Sequence, residues 1–161
     1  MTKLAAPLIL AAHVQTLPTL PGWGADGDRP AVAVHEGARL DRGDVRRWVT
    51  VGYVSGDDGP AVHLEPTHDR QSQNIEAGTI ACELVVAGPD VATARGAVFD
   101  LLAAWSGWLS ESPTLPDAGG QARLMAGSAL TLVADVVNRP TRAGATATAL
   151  VSITYRATTY G

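Results

Sequence analysis

The densest group of side chains that could carry out chemistry lies in residues 63–69. It contains His63, Glu65 and His68, which are residue types that ligate divalent metals, and a metal-bound water can act as a hydrolytic nucleophile. Pro66 interrupts the segment, so the three side chains do not share a helix face. The His-x-Glu pair also occurs in zinc deaminases, but the Pro-Cys-x-x-Cys sequence that completes their site is not in this chain. We therefore expect solvated loop residues here, with a small metal-dependent hydrolase as a distant alternative.

The rest of the sequence carries no other catalytic signature. It has no nucleophile elbow, no phosphate-binding loop, no dinucleotide-binding glycine motif and no Cys-x-x-Cys pair. The single cysteine, Cys82, lies in an apolar stretch, where a buried and inert thiol is expected. Residues 24–28 contain Gly and Asp but not the twelve-residue calcium pattern, so they indicate a turn. The sequence thus predicts no enzyme, no cofactor and no metal site.

Composition indicates an ordinary domain with surfaces suited to protein contacts. The chain has 161 residues and a net charge of -4, which does not favour a dedicated nucleic-acid binder. Apart from Lys3, every basic residue is Arg, and arginine forms the geometrically fixed contacts typical of interfaces. Arginines and two tryptophans are the candidate interface residues, the arginines through inter-subunit salt bridges or contact with passing DNA. They are Arg46, Arg47, Trp48, Arg70, Trp108, Arg139 and Arg142.

The N-terminal part of the chain predicts one helix followed by a long irregular segment. Apolar residues recur at helical spacing from Leu4 to Leu17, and Pro18 ends the pattern. This run has the outline of a secretory signal but no convincing cleavage site, and it is too short to span a bilayer. We expect a helix that packs on the domain, and a cytosolic protein. Residues 22–45 predict an arm or loop with at most one weak strand near 31–34.

The remaining sequence predicts a sheet and one long helix. Strands are indicated over 47–54, 75–86, 122–137 and 145–158, and residues 138–144 have the composition of a turn. Glu76 and Glu83 are seven residues apart, so in a regular strand their side chains point to opposite faces of the sheet. This indicates an edge, bulge or bend near Gly78. An apolar stripe from Val91 to Leu109 predicts the helix.

Together these patterns predict one α+β domain over residues 1–161. We expect a mostly antiparallel sheet of four to five strands packed by two helices, with a long N-terminal arm or loop. The N-terminal helix covers 1–21, the arm 22–45, and the sheet and main helix 46–158.

Residues 46–158 resemble the tail terminator proteins of long-tailed bacteriophages, especially those of actinobacterial phages. The resemblance rests on the order of local patterns. They are WVTVGY (48–53) with the acidic turn at 57–58, EAGTIACELVV (76–86), DVATAR (90–95) opening the main helix, PTL (113–115) and VSITYRA (151–157).

The resemblance implies a structural virion protein of the tail–neck region, present in the host cytoplasm during assembly. Such proteins form a ring, typically a hexamer, that caps the tail tube, stops its polymerisation and joins the tail to the head. The implied partners are further copies of the chain, the tail tube protein, a neck or head-completion protein, and double-stranded DNA in transit. A head-completion or connector protein of the neck is the nearest alternative, and a plain protein-binding module without a ring is another.

Overall fold

A computed structural model describes residues 4–39, 45–57, 59–65, 68–70, 73–116, 122–133 and 135–160. These residues form two α-helices, α1 (Ala5–Thr16) and α2 (Val91–Ser110), and a short 3-10 helix (Leu17–Thr19) that follows α1. The strands are β1 (Ala33–Glu36), β2 (Arg47–Val51), β3 (Val62–Leu64), β4 (His68–Arg70), β5 (Gln73–Gly88), β6 (Thr114–Leu115), β7 (Ala122–Leu124), β8 (Ala129–Leu132), β9 (Val137–Thr141) and β10 (Gly144–Tyr160).

Two long strands, β5 and β10, form the centre of the sheet. They run antiparallel and pair without interruption from Gly88 opposite Ala145 to Gln73 opposite Tyr160. On one side, β2, β3 and β4 follow one another along β5. On the other side, β9, β8 and β7 follow one another along β10. The sheet is completed by β1, which runs parallel to β2, and by β6, which pairs with β7.

The α+β class and the two helices are confirmed, but the predicted sheet of four to five antiparallel strands is wrong. The described residues form a mixed sheet of ten strands. Three short strands pair with β5 where one was expected, and three pair with β10. In addition, β1 pairs parallel with β2. The strand predicted over 122–137 is interrupted by a turn that contains Gly127 at φ +93°. The turn predicted at 138–144 is mostly β9, because Pro140 is tolerated on an edge strand.

The long helix α2 begins at Val91, and Asp90 is its N-cap residue. One carboxylate oxygen of Asp90 accepts a hydrogen bond from the Thr93 amide at 2.7 Å. The apolar stripe is buried against β5 and β10, and its members are Ala94, Val98, Leu101, Trp105 and Leu109. Among the described residues, no helix has the length and apolar character needed to cross a membrane.

The segment predicted as an arm packs on the domain where it is described. Trp23 is fully buried, and its ring nitrogen donates to the Leu101 carbonyl of α2 at 3.2 Å. Val32 is also buried, and its amide donates to the Trp23 carbonyl at 2.8 Å. The large apolar surface of the indole gives this segment its own anchor in the core. Residues 22–39 therefore pack on the domain, with β1 paired to β2, instead of extending from the molecule.

Candidate assembly surfaces

A buried carboxylate fixes the position of α1. Glu76 of β5 is 2% exposed, and its two oxygens accept hydrogen bonds from the Ala5 and Ala6 amides at 2.8 and 3.0 Å. The residue before the helix, Leu4, supplies no side-chain cap. Glu76 therefore satisfies free N–H groups at the start of α1 from a distant position in the sequence, and its charge complements the helix dipole. This carboxylate has a structural role.

The expected edge position of β5 and the expected bulge near Gly78 are wrong, whereas the alternative of a bend near Gly78 stays a prediction. β5 is central, and its register with β10 continues past Gly78. Glu76 and Glu83 lie on opposite faces of this strand, and each has its own donors. Glu83 accepts from the Ser55 hydroxyl at 2.8 Å, while Glu76 accepts from the Tyr155 hydroxyl at 2.7 Å. Buried carboxylates on a central strand are stable here because both are hydrogen-bonded.

α1 meets α2 through a histidine surrounded by tryptophans. His13 is fully buried, and its Nδ1–H donates to the Ile9 carbonyl at 2.7 Å. The imidazole contacts the rings of Trp105 and Trp108 edge-on, with centroids 5.6 and 5.0 Å away. Burial lowers the pKa of His13 to about 4, since the charged form would be desolvated. His13 is thus a neutral core residue near pH 7.

The predicted chemical cluster is not assembled by the described residues. His63 is exposed in β3, Glu65 is exposed just after it, and His68 is in β4 with its side chain outside the described part of the chain. Within the described ranges, no three His, Cys, Asp or Glu side chains are grouped to hold a metal. Cys82 is buried in β5, and burial raises the pKa of its thiol to about 12.

The predicted interface residues are distributed over four places: the start of β2, β4, α2 and the β9–β10 hairpin. Arg46 is exposed just before β2, and Arg47 and Trp48 are half-buried within it. Arg39 stacks on the Trp48 ring, with its guanidinium carbon 4.5 Å from the centroid. Trp108 is half-buried against His13, and Arg70 is in β4 with its side chain outside the described residues. The structure brings Arg46 and Arg47 together at one cavity, and it adds Arg29, which sequence reasoning missed.

The other arginine pair lies on the β9–β10 hairpin. Arg139 is exposed on β9, and Arg142 is exposed in the two-residue turn that follows. Arg142 is flanked by Thr141 and Ala143, which both line the cavity of Arg46 and Arg47. The tip of this hairpin is therefore beside that cavity, although the residues are far apart in the sequence.

An exposed apolar patch was not predicted. Val133 is 63% exposed and Val137 is 49% exposed, at the junction of β8 and β9. β8 and β9 pair with β10 on one side only, so their other side is an open sheet edge among the described residues. Leu132 and Phe99 are also exposed. We call Phe99, Leu132, Val133 and Val137 the β8–β9 apolar patch. Leu132 and Val137 are on opposite faces of the sheet, because their β10 partners, Val151 and Thr148, are three residues apart.

Phe99 belongs to this patch because of the orientation of α2. One flank of the helix carries Trp108, which contacts α1, and Ala97, which lines the cavity beside β2. Phe99 and Leu102 are on the opposite flank by helical periodicity. α2 contacts β8 and β9 as well as β5 and β10. The apolar run 129–137 was the available signal in the sequence, but it is consistent with a buried strand as well as with an exposed edge.

No protein-family model matches this sequence, and no curated protein matches it.

Proposed function

We propose that this chain is a tail terminator, a subunit of a ring that caps the tail tube of a long-tailed phage. The observation that carries the proposal is the β8–β9 apolar patch, exposed along an open edge of the sheet. Exposed apolar residues along one edge of a soluble domain favour a protein contact surface there. An open strand edge beside them offers backbone groups for pairing with another chain.

The two ends of the sheet differ, as a head-to-tail ring contact requires. The β8–β9 edge carries the apolar patch, whereas the opposite edge of the sheet is formed by β1, which pairs with β2. A contact that joins two different surfaces repeats from copy to copy, and it closes into a ring when the rotation per copy divides the circle evenly. These unlike surfaces favour a ring over a two-fold dimer.

The charge of the chain is compatible with a lumen through which DNA passes. A ring that held DNA strongly would carry a basic surplus, because phosphate contacts dominate such binding. The net charge here is -4, so the assembled ring has no overall attraction for the duplex.

Deletion of the gene from the phage and electron microscopy of the lysate test this function directly. Tail tubes of uncontrolled length beside unattached, DNA-filled heads are the expected result. Tails of normal length that fail to join heads would instead identify a head-completion or connector protein. Intact virions would exclude both assignments.

A further inference from the structure

A cavity of about 550 Å³ lies where β2 begins, β5 ends and α2 starts. Three arginines line it: Arg29, Arg46 and Arg47. Arg29 arrives from the loop that precedes β1, whereas the other two come from the start of β2. Its volume is in the range of small-ligand sites.

The positive charge around this cavity is not fully balanced by the described residues. Arg29 pairs with Asp26 at 3.6 Å, and Asp28 also lines the cavity, so three guanidinium groups face two carboxylates. Neither Arg46 nor Arg47 has a side-chain ion pair within the described ranges. Burial lowers the pKa of Arg47, and the nearby charge of Arg29 lowers it further. An anion between these groups would relieve that repulsion.

Arg29 also has an unused hydrogen-bond donor at this place. Its Nε is buried and has no hydrogen-bond partner among the described residues, although the side chain as a whole is 39% exposed. A buried donor without an acceptor is costly, and a planar guanidinium matches the geometry of an oxyanion. The first turn of α2, with Thr93 and Ala94, lines the same cavity, and the Asp90 carboxylate already caps this end of the helix.

The remaining walls are mostly apolar, apart from Thr141. Val86, Ala97 and Ala145 line the cavity together with Pro30 and Pro89. The volume is much larger than that of a single inorganic anion, so these walls provide room for an organic group attached to the charge.

We propose that this cavity is a binding site for an organic oxyanion, held by Arg29, Arg46 and Arg47, with its apolar part against the alanine and proline walls. The cavity lies beside β2 and is bordered by the tip of the β9–β10 hairpin, so it adjoins the surfaces proposed for ring contact. The titrations below use the free subunit and therefore do not depend on ring formation. The charged group is a carboxylate or a phosphate, and the two are distinguished by titration.

The purified full-length protein is titrated with inorganic phosphate and, separately, with acetate, at constant ionic strength set with chloride. Isothermal titration calorimetry and thermal unfolding report binding. We expect saturable binding of one of these anions, and its identity gives the charged group of the ligand. Arg46→Met and Arg47→Met keep the aliphatic stem and remove the charge, so each should weaken binding about tenfold or more.

Arg123→Met is the matched control, because Arg123 is exposed on β7, away from the cavity. It should bind as tightly as the wild type. Equal weakening by Arg123→Met would reveal non-specific attraction and overturn the proposal, as would the absence of saturable binding. If deletion of the gene did not give the phenotype expected of a tail terminator, the results of these titrations would still stand.

Discussion

The hydroxyl of Tyr155 donates a 2.7 Å hydrogen bond to Oε1 of Glu76, and this contact joins β10 to the start of α1. Tyr155 lies opposite Gly78 in the sheet, and Gly78 leaves room for the phenol. A Cβ at position 78 would meet the His63 carbonyl oxygen and the end of the Tyr155 side chain. Because Gly78 has no side chain, the phenol of Tyr155 can reach Glu76, and the carboxylate of Glu76 in turn caps α1.

Tyr155→Phe should lower the free energy of unfolding by about 1.5–3 kcal/mol, the range for a buried hydrogen bond to a charged group. Urea denaturation followed by tryptophan fluorescence measures the change. Tyr53→Phe is the control, because Tyr53 is half-buried and its hydroxyl makes no hydrogen bond within the described residues. Its effect should stay within about 0.5 kcal/mol. Equal stability of the two variants would contradict the role assigned to Tyr155.

Gly78→Ala should destabilise the protein by roughly 1–3 kcal/mol, since the added methyl overlaps backbone that cannot easily move. Gly96→Ala makes the same chemical change in α2, where the new methyl meets no atom within 4 Å. It should stabilise the protein by about 0.5–1 kcal/mol, because alanine favours the helix. Thermal unfolding should show a lower Tm for Gly78→Ala and a higher Tm for Gly96→Ala than for the wild type. A stabilising Gly78→Ala would contradict the close packing described for β5.

Stability should fall at alkaline pH because of Tyr155. Burial raises the pKa of this phenol, and the hydrogen bond and charge of Glu76 raise it further. In the unfolded chain a tyrosine loses its proton near pH 10. The contribution is therefore complete below about pH 10 and declines as the pH rises above that value. Urea midpoints between pH 8 and pH 11 should show a decline that is smaller in Tyr155→Phe, and identical slopes would contradict the prediction.

Stability should also fall in mild acid because of His13. The pKa of the buried imidazole is about 4, whereas an unfolded histidine takes up a proton near 6.5. The unfolded state therefore binds more protons between these values, and the loss reaches about 3 kcal/mol as the pH falls from 6.5 to 4.

Urea denaturation across this range should show the loss in the wild type and a shallower slope in His13→Met. His63→Gln is the control, because the side chain of His63 is exposed, and it should keep the wild-type slope. An unchanged slope in His13→Met would contradict the assignment.

Val133→Asp and Phe99→Ser should reduce assembly without changing stability, since both side chains are already exposed. Light scattering after size-exclusion chromatography, alone and with purified tail tubes, measures assembly. Leu64→Ser removes a comparably exposed apolar side chain on β3 and should assemble like the wild type. If the two patch variants also assemble normally, the β8–β9 apolar patch is not the subunit contact.

Local patterns were sufficient to predict the long elements. The stripe from Val91 to Leu109 and the strands that became β5 and β10 depend on periodicity and on turn residues, both of which are present in the sequence. The short strands could not be predicted in this way. β3, β6 and β7 have two or three residues each, and they exist because β5 and β10 offer them partners.

In the candidate sites, too, the sequence indicated single residues, whereas their partners became evident only in the structure. The sequence marked Arg46 and Arg47 as an exposed basic pair, but it gave no reason to place Arg29 beside them. It also marked Glu76 as unusual within its strand, and only the packing of α1 supplied the reason.

By itself, the sequence determined the class of this protein, its two helices and its central strands, because these follow from interactions between near neighbours in the chain. The tertiary structure decided the mixed sheet, the cap on α1, the arginine cavity and the β8–β9 apolar patch. Each of these depends on residues from distant segments meeting or remaining exposed, and local spacing carries no information about either.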